Sequence, residues 1–397
     1  MRCFFIIFFL ISCSNPFKKD NTPKDPIELS DKVASKFEVY KAGIQESLDE
    51  YGFILMGESV GDSALFSCLA YSAGAIDLNP EDLVSPDGKP VRHPMIWKDP
   101  DKWNDQFCKP RPDKSSCTPI SKDMMNGITW CVKTLADSDP ERAIEMGKKI
   151  VDYGRANKKA ELWIFCTDEE VSKWNITDED FAGKCVMTPQ VSKDLYRVMI
   201  YAGWECDALC KITMTTGTNL PVGRTGFGRH LGVIGTFRNG LVEGALNDLS
   251  VSYLKDARDD VPNNALYQAV YNTFVEGDQS KAYELLLNSA FFPDNKLPTS
   301  ANYCTDYLYQ RDEVRDEKFT ADSDGCIQYR DPNDLANFIE ECDLESGKEY
   351  KRRTYNDDWL PCGDEFHKGR GVDWLFAAKV ALGKVDGSLS IKLHGNK

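Results

Sequence analysis

Apolar residues recur along most of this chain three or four positions apart, and segments apolar on one side alternate with segments apolar all round. Leu29 to Tyr51 sets Val33, Phe37, Tyr40 and Ile44 on one face, which predicts a long amphipathic helix. Val60 to Ala75 differs: Ala64, Leu65, Phe66, Cys68, Leu69, Ala70, Tyr71 and Ala73 surround it, as expected of a helix buried on every side. A helix from about Thr118 to Leu135 buries Met124, Ile128, Cys131 and Leu135, and Pro140 to Asn157 turns Ala143, Met146, Ile150, Val151 and Gly154 inward. Further helices are expected at Thr188 to Trp204, Gly228 to Arg238, Val242 to Ala257, Asn263 to Glu276, Ser280 to Ser289, Asp334 to Cys342 and Asp373 to Leu382. Strand-like alternation is confined to Ser388 to Leu393, while Pro80 to Pro119 and Asn302 to Arg370 read as long irregular segments. The expected class is therefore all-α, built of helical hairpins with one buried member each.

The helix that opens at Thr118-Pro119-Ile120-Ser121-Lys122-Asp123 carries the clearest start signal. Thr118 or Ser121 can cap it, proline suits a first turn, and Asp123 faces the positive end of the helix dipole. Asp123 lies on the flank of the buried stripe beside Gly127 and Trp130, so it serves either as a helix-start carboxylate or as half of an active site. Thr188-Pro189-Gln190-Val191-Ser192-Lys193-Asp194 repeats the motif with one residue added, which points to repeated hairpins. Ser59 and Asp62 have capping-box spacing ahead of the all-apolar helix.

At the amino terminus Arg2 precedes the apolar run Cys3 to Ile11, too short to span a bilayer and shaped like a secretory signal. Its ending, Leu10-Ile11-Ser12-Cys13, resembles the lipobox of bacterial lipoproteins. That resemblance implies a signal peptide over residues 1–12, lipidation of Cys13, and, through Ser14, placement in the outer membrane. Residues 13–28 would form a polar tether, leaving 29–397 as a single domain. A formal charge of −15 without a long basic cluster makes nucleic acid an unsuitable partner, and the lipid would be the chain's sole hold on the membrane. Of fourteen cysteines, Cys3 lies in the signal and Cys13 is the anchor; the even remainder in an exported chain reads as disulfides. Short spacings suggest Cys108 with Cys117, Cys166 with Cys185, and Cys326 with Cys342. Cys206 and Cys210 lie one helical turn apart, but without a C-x-x-C pair, and with four histidines in the chain, a zinc site is poorly supplied with ligands.

Paired helices with one buried member each, in an exported chain of this length, resemble the (α/α) toroid of many carbohydrate-active enzymes. The resemblance is architectural and covers nearly the whole mature chain. It implies an inner ring of helices sheathed by an outer ring, with a ligand groove across one end of the inner ring. The matching positions here are Asp62 and Asp123, with Asp194 a third. Glycosidic hydrolysis requires one protonated and one ionised carboxyl group, so Asp62 and Asp123 become the expected catalytic pair of a glycoside hydrolase that acts, as a monomer, on a polysaccharide or oligosaccharide.

Several other residues suit sugar binding. Arg92-His93 and Arg229-His230 pair a cation with an imidazole, Trp130 adjoins Asp123, and Asn264, Gln268 and Tyr271 form a polar stripe on an otherwise apolar helix. A polysaccharide lyase would instead use His230, Arg229 and Tyr196, and a non-catalytic lipoprotein that binds a glycan or a protein needs no paired acids. Thr320 to Asp331 matches an EF-hand loop in part, with Asp322, Asp324 and Asp331 as calcium ligands, but Thr320 replaces the usual first aspartate.

Overall fold

The computed structural model describes residues 26–45, 48–54, 63–108, 117–159, 162–178, 181–215, 226–260, 264–287, 318–321, 326–331, 334–344, 347–354, 358–361 and 372–383. These are mostly helical. The longer helices are α1 (Pro26–Gln45), α2 (Ser63–Ser72), α3 (Lys122–Ser138), α4 (Pro140–Ala156), α5 (Pro189–Tyr201), α6 (Ala208–Thr215), α7 (Gly226–Glu243), α8 (Asp248–Asp260), α9 (Ala265–Phe274), α10 (Ser280–Leu287) and α11 (Val372–Ala381).

Helix boundaries follow local chemistry. The side chain of Ser121 accepts from Met124 N–H and starts α3, Asp139 caps Pro140 of α4 by accepting from Arg142 N–H, and Asn264 caps α9 by accepting from Tyr267 N–H. Thr118 does not cap α3; its hydroxyl instead accepts from the Arg92 guanidinium at 2.6 Å.

Helices α2 and α3 run parallel and unusually close. Gly127 of α3 meets the backbone of α2: a Cβ there would lie 2.4 Å from Leu65 Cα and 2.9 Å from the Ala64 carbonyl oxygen. One turn on, Cys68 and Cys131 form a disulfide, and beyond it the Ser72 and Thr134 hydroxyls meet at 2.7 Å. The same sense recurs elsewhere. Asp194 and Arg197 of α5 reach Arg238 and Glu243 of α7, in that order. His230 and Phe237 of α7 meet Asp373 and Phe376 of α11. Six helices, α2, α3, α5, α7, α9 and α11, thus follow one another as neighbours round a closed circuit. The others pack against these: α4 on α3 and α5, α6 on α5, α8 on α7 and α9, α10 on α9 and α11, and α1 on α10 and α11. Helix α10 runs against α11, since Leu286 O accepts from Trp374 Nε1 and Ala381 O from the Tyr283 hydroxyl.

Inside the circuit the aromatic rings of Trp130, Phe237 and Phe376 contact one another, with centroids 5.2 to 6.3 Å apart, and Phe274 joins them through Phe237 at 5.9 Å. All are buried. The main core is continuous from α1 to α11, and a satellite cluster around Trp103, Phe107 and Trp174 contains the Cys108–Cys117 and Cys166–Cys185 disulfides. Both pairings match the spacing argument. Cys206 and Cys210 also form a disulfide, which leaves no thiolates there for zinc.

Two expectations need correction. Asp334 to Cys342 is not a helix: strand β6 covers Asp334–Leu344. It lies within an antiparallel meander of β4 (Lys318–Ala321), β5 (Cys326–Asp331), β6, β7 (Gly347–Thr354) and β8 (Asp358–Pro361). Leu335, Phe338, Ile339 and Cys342 have helical spacing, but Ala336, Phe338, Cys342 and Leu344 equally fit a period of two, and pairing on both edges decides between them. Asn302 to Arg370 is accordingly not irregular throughout. The EF-hand resemblance also loses its flanking helices, because the segment connects two antiparallel strands. Asp322 and Asp324 lie outside the described residues, whereas Asp331 ends β5 as the Cα partner of Asp334. The register sets Cys326 directly opposite Cys342. A smaller sheet joins β1 (Lys158–Lys159), β2 (Leu162–Ile164) and β3 (Val186–Met187). The expected strand at Ser388 to Leu393 lies outside the described residues, as do Cys13 and the tether. Among the described residues no helix is long and apolar enough to cross a membrane.

Candidate functional site

A cavity of about 380 Å³ opens where α3 and α5 begin, walled on its far side by α7 and the start of α8. Its position follows from the repeated motif. Lys122 and Asp123 come from the first copy, Thr188, Gln190 and Asp194 from the second, and all five line the same space. Because α3 and α5 are parallel neighbours, equivalent turns of the two motifs face one wall.

Two arginines organise that wall. Arg238, wholly buried, directs Nη2 to Asp194 Oδ2 at 2.9 Å, while its Nη1 donates to Asn126 Oδ1 at 2.6 Å. Burial pushes the guanidinium pKa of Arg238 down, and the Asp194 charge works against that shift. Arg197 bonds Asp194 Oδ1 at 2.9 Å and Glu243 at 2.9 Å. Asp194 also accepts from Gln190 and Asn239, so its carboxylate is held on both oxygens by groups of α5 and α7. Asn126, one turn after Asp123, is oriented twice over, since its Nδ2 donates to Leu231 O at 3.1 Å. The cavity therefore presents a fixed array of amides and hydroxyls around Asp123, with three acids and three bases in its lining.

The sequence-derived residues divide into groups. Asp123 lines the cavity; Asp62 lies outside the described residues. Arg92 and His93 are buried elsewhere and pin loops: Arg92 holds Thr118, and the His93 imidazole sits between Asp49, whose Oδ2 is 2.8 Å from Nε2, and Met95 N–H, which donates to Nδ1. Burial acts to raise the Asp49 pKa, but the hydrogen bond and charge of His93 and the backbone N–H groups of Phe53 and Tyr51 outweigh it and hold this carboxyl below its usual value. Trp130 belongs to the axial aromatic cluster, and Tyr271 is buried beneath the Arg258 guanidinium, 3.9 Å from the ring centroid. Arg229, His230, Asn264 and Gln268 are all buried near the starts of α7 and α9, with His230 Nε2 3.3 Å from Asp373 Oδ1. None of these residues lines the cavity. Tyr196 is also remote, its hydroxyl accepting from Arg155.

Sequence reasoning missed Asn126, Arg197, Arg238 and Asn239. The echoed motif was the signal that could have located them, because it identifies two helix starts that share a wall. No protein-family model matches the chain, and no match emerges among curated proteins or solved structures.

Proposed function

We propose that the protein is a glycoside hydrolase, carried on an outer membrane by a lipid on Cys13, whose substrate is a polysaccharide or oligosaccharide of the envelope or surroundings. Support for the architecture comes from the closed circuit of neighbouring helices, with parallel pairs α2/α3, α5/α7 and α7/α11 and further helices packed on it, which fits the (α/α) toroid. The observation that carries the functional reading is the cavity at the starts of α3 and α5, where Asp123 stands among Asn126, Gln190, Thr188 and Thr129, groups able to bond sugar hydroxyls. Asp123 is the proposed acid that protonates the leaving oxygen. Asp62, one residue before α2 begins, is the proposed second carboxyl. Helices α2 and α3 are parallel neighbours, with Gly127 against Leu65, which supports this reading.

Reducing-sugar release from a glycan panel that includes peptidoglycan tests this. Asp123→Asn should lower release by about 10²- to 10⁴-fold with helical circular dichroism unchanged. Release that persists in both Asp123→Asn and Asp62→Asn would remove the assignment. The lyase reading loses ground because Tyr196, Arg229 and His230 do not line the cavity. A non-catalytic glycan-binding lipoprotein is favoured by one observation: Asp194, the most firmly held cavity carboxylate, is spent on two arginines and so serves as a fixed counterion of the wall. Glycan retention without any release of sugar would establish that alternative.

A further inference from the structure

We infer that the cavity takes an uncharged sugar unit bearing an acetamido group, with the methyl seated against Gly235 and the amide N–H directed to Asn239; this rests on the glycan reading and narrows it.

The first argument is charge. The lining sets Lys122, Arg197 and Arg238 against Asp123, Asp194 and Glu243, so its formal charges cancel. The arginines are spent within the wall: Arg197 bridges Asp194 and Glu243, and Arg238 joins Asp194 to Asn126. Lys122 turns its Nζ toward Ala182 O at 3.5 Å. An anionic sugar would therefore give up its hydration without gaining a dedicated cation.

The second argument is the shape of the α7 face. Gly232, Gly235, Thr236 and Asn239 follow at i, i+3, i+4 and i+7 and all line the cavity, so they form one stripe. A Cβ at Gly235 would lie 3.8 Å from Asn126 Oδ1 and 3.9 Å from Arg238 Nη2, which leaves room for a methyl group. Both of those atoms are already engaged, Asn126 Oδ1 by Arg238 and Arg238 Nη2 by Asp194. They ask nothing of the group that fills the recess. Met125, Val191, Leu231 and Leu246 give the cavity apolar walls, which favour a methyl group over a bare hydroxyl.

The third argument is an unmet acceptor. Asn239 donates Nδ2 to Asp194 Oδ1 at 3.1 Å, while its own Oδ1 is buried without a partner among the described residues. Such an oxygen calls for a donor. Asn239 stands four residues from Gly235, about 6 Å along the helix axis. An acetamido group carries an N–H and a methyl on one carbonyl carbon and so meets both positions at once. A hydroxyl can satisfy the acceptor but leaves the recess empty.

Calorimetric titration of the whole protein with chitotetraose, cellotetraose and an alginate tetrasaccharide, with sugar release assayed on the same samples, tests this. The first two probes differ only in bearing acetamido or hydroxyl groups beside the anomeric carbon. Chitotetraose is expected to bind about 10-fold more tightly than cellotetraose, and the alginate fragment most weakly. Gly235→Ala, whose new methyl occupies the recess without a clash, should fold as well as wild type and remove that advantage. Asn239→Ala should reduce it while Asp194 keeps both arginines. Equal affinity for the first two probes, tighter binding of alginate, an advantage that survives either substitution, or no binding of chitotetraose overturns the inference. Sugar release without preference for the acetamido probe defeats this inference alone. Preference without release defeats the hydrolase alone.

Discussion

Gly127→Ala isolates the contact that sets the spacing of α2 and α3. A methyl group there would sit 2.4 Å from Leu65 Cα and 2.9 Å from the Ala64 carbonyl. Both are backbone atoms, so no rotamer change relieves the clash. Sliding is also opposed, because the Cys68–Cys131 disulfide fastens the same two helices one turn away. Overpacking of this kind costs about 1–3 kcal/mol, while replacing a helical glycine by alanine returns about 1 kcal/mol. With backbone on both sides of the clash, the expected outcome is a net loss of about 2 kcal/mol, at the unfavourable end of those ranges. Gly235 of α7 supplies the control: its nearest neighbours outside the helix backbone would be 3.8 and 3.9 Å from a new Cβ, ordinary contact distances. Gly235→Ala should therefore stabilise by about 0.5–1 kcal/mol. Urea unfolding followed by circular dichroism, disulfides intact, measures both. Equal stabilisation by the two substitutions would refute the reasoning, since it would mean α2 and α3 do not touch at Gly127.

Four further outcomes are expected. Replacing Cys68 and Cys131 by serine should cost about 4 kcal/mol, against about 2 for Cys206 and Cys210, because the sequence separations are 63 and 4 and the longer loop constrains the unfolded chain more; comparing urea midpoints of the two double mutants tests the order. Asp194→Ala should destabilise by about 3–5 kcal/mol by stranding the wholly buried Arg238, whereas Asp123→Asn should change the thermal midpoint little while lowering sugar release as stated above. The depressed Asp49 carboxyl adds stability that is complete above its unfolded value of 3.8 and is lost as pH falls through the lower folded value; Asp49→Asn should thus flatten the decline in urea midpoint below about pH 4. Peptide mapping without reduction should recover Cys326 joined to Cys342, and separate peptides would count against that pairing.

Much was determined by the sequence alone. Helical spacing of apolar residues located α1 to α5 and α7 to α11 to within a few residues at most ends, because burying one stripe requires that period whatever the stripe packs against. The all-round apolar character of 63–72 foretold a buried helix, which packs against α3 and α11, and two short-range disulfides followed from spacing. Asp123 could be chosen because its helix start was chemically explicit. Partner identity belonged to the tertiary structure. Strand β6 has spacing that satisfies both periods, and only hydrogen bonds to β5 and β7 decide which is used. Arg92 and His93 suited sugar binding as a cation–imidazole pair, yet Thr118 and Asp49, distant in sequence, hold them in the structure. Arg238, Asn126 and Asp194 carry no local signal of belonging together, because a charged residue within a helix has the same sequence signature whether it faces solvent or a buried counterion. The fold supplies that counterion, and with it the wall of the cavity.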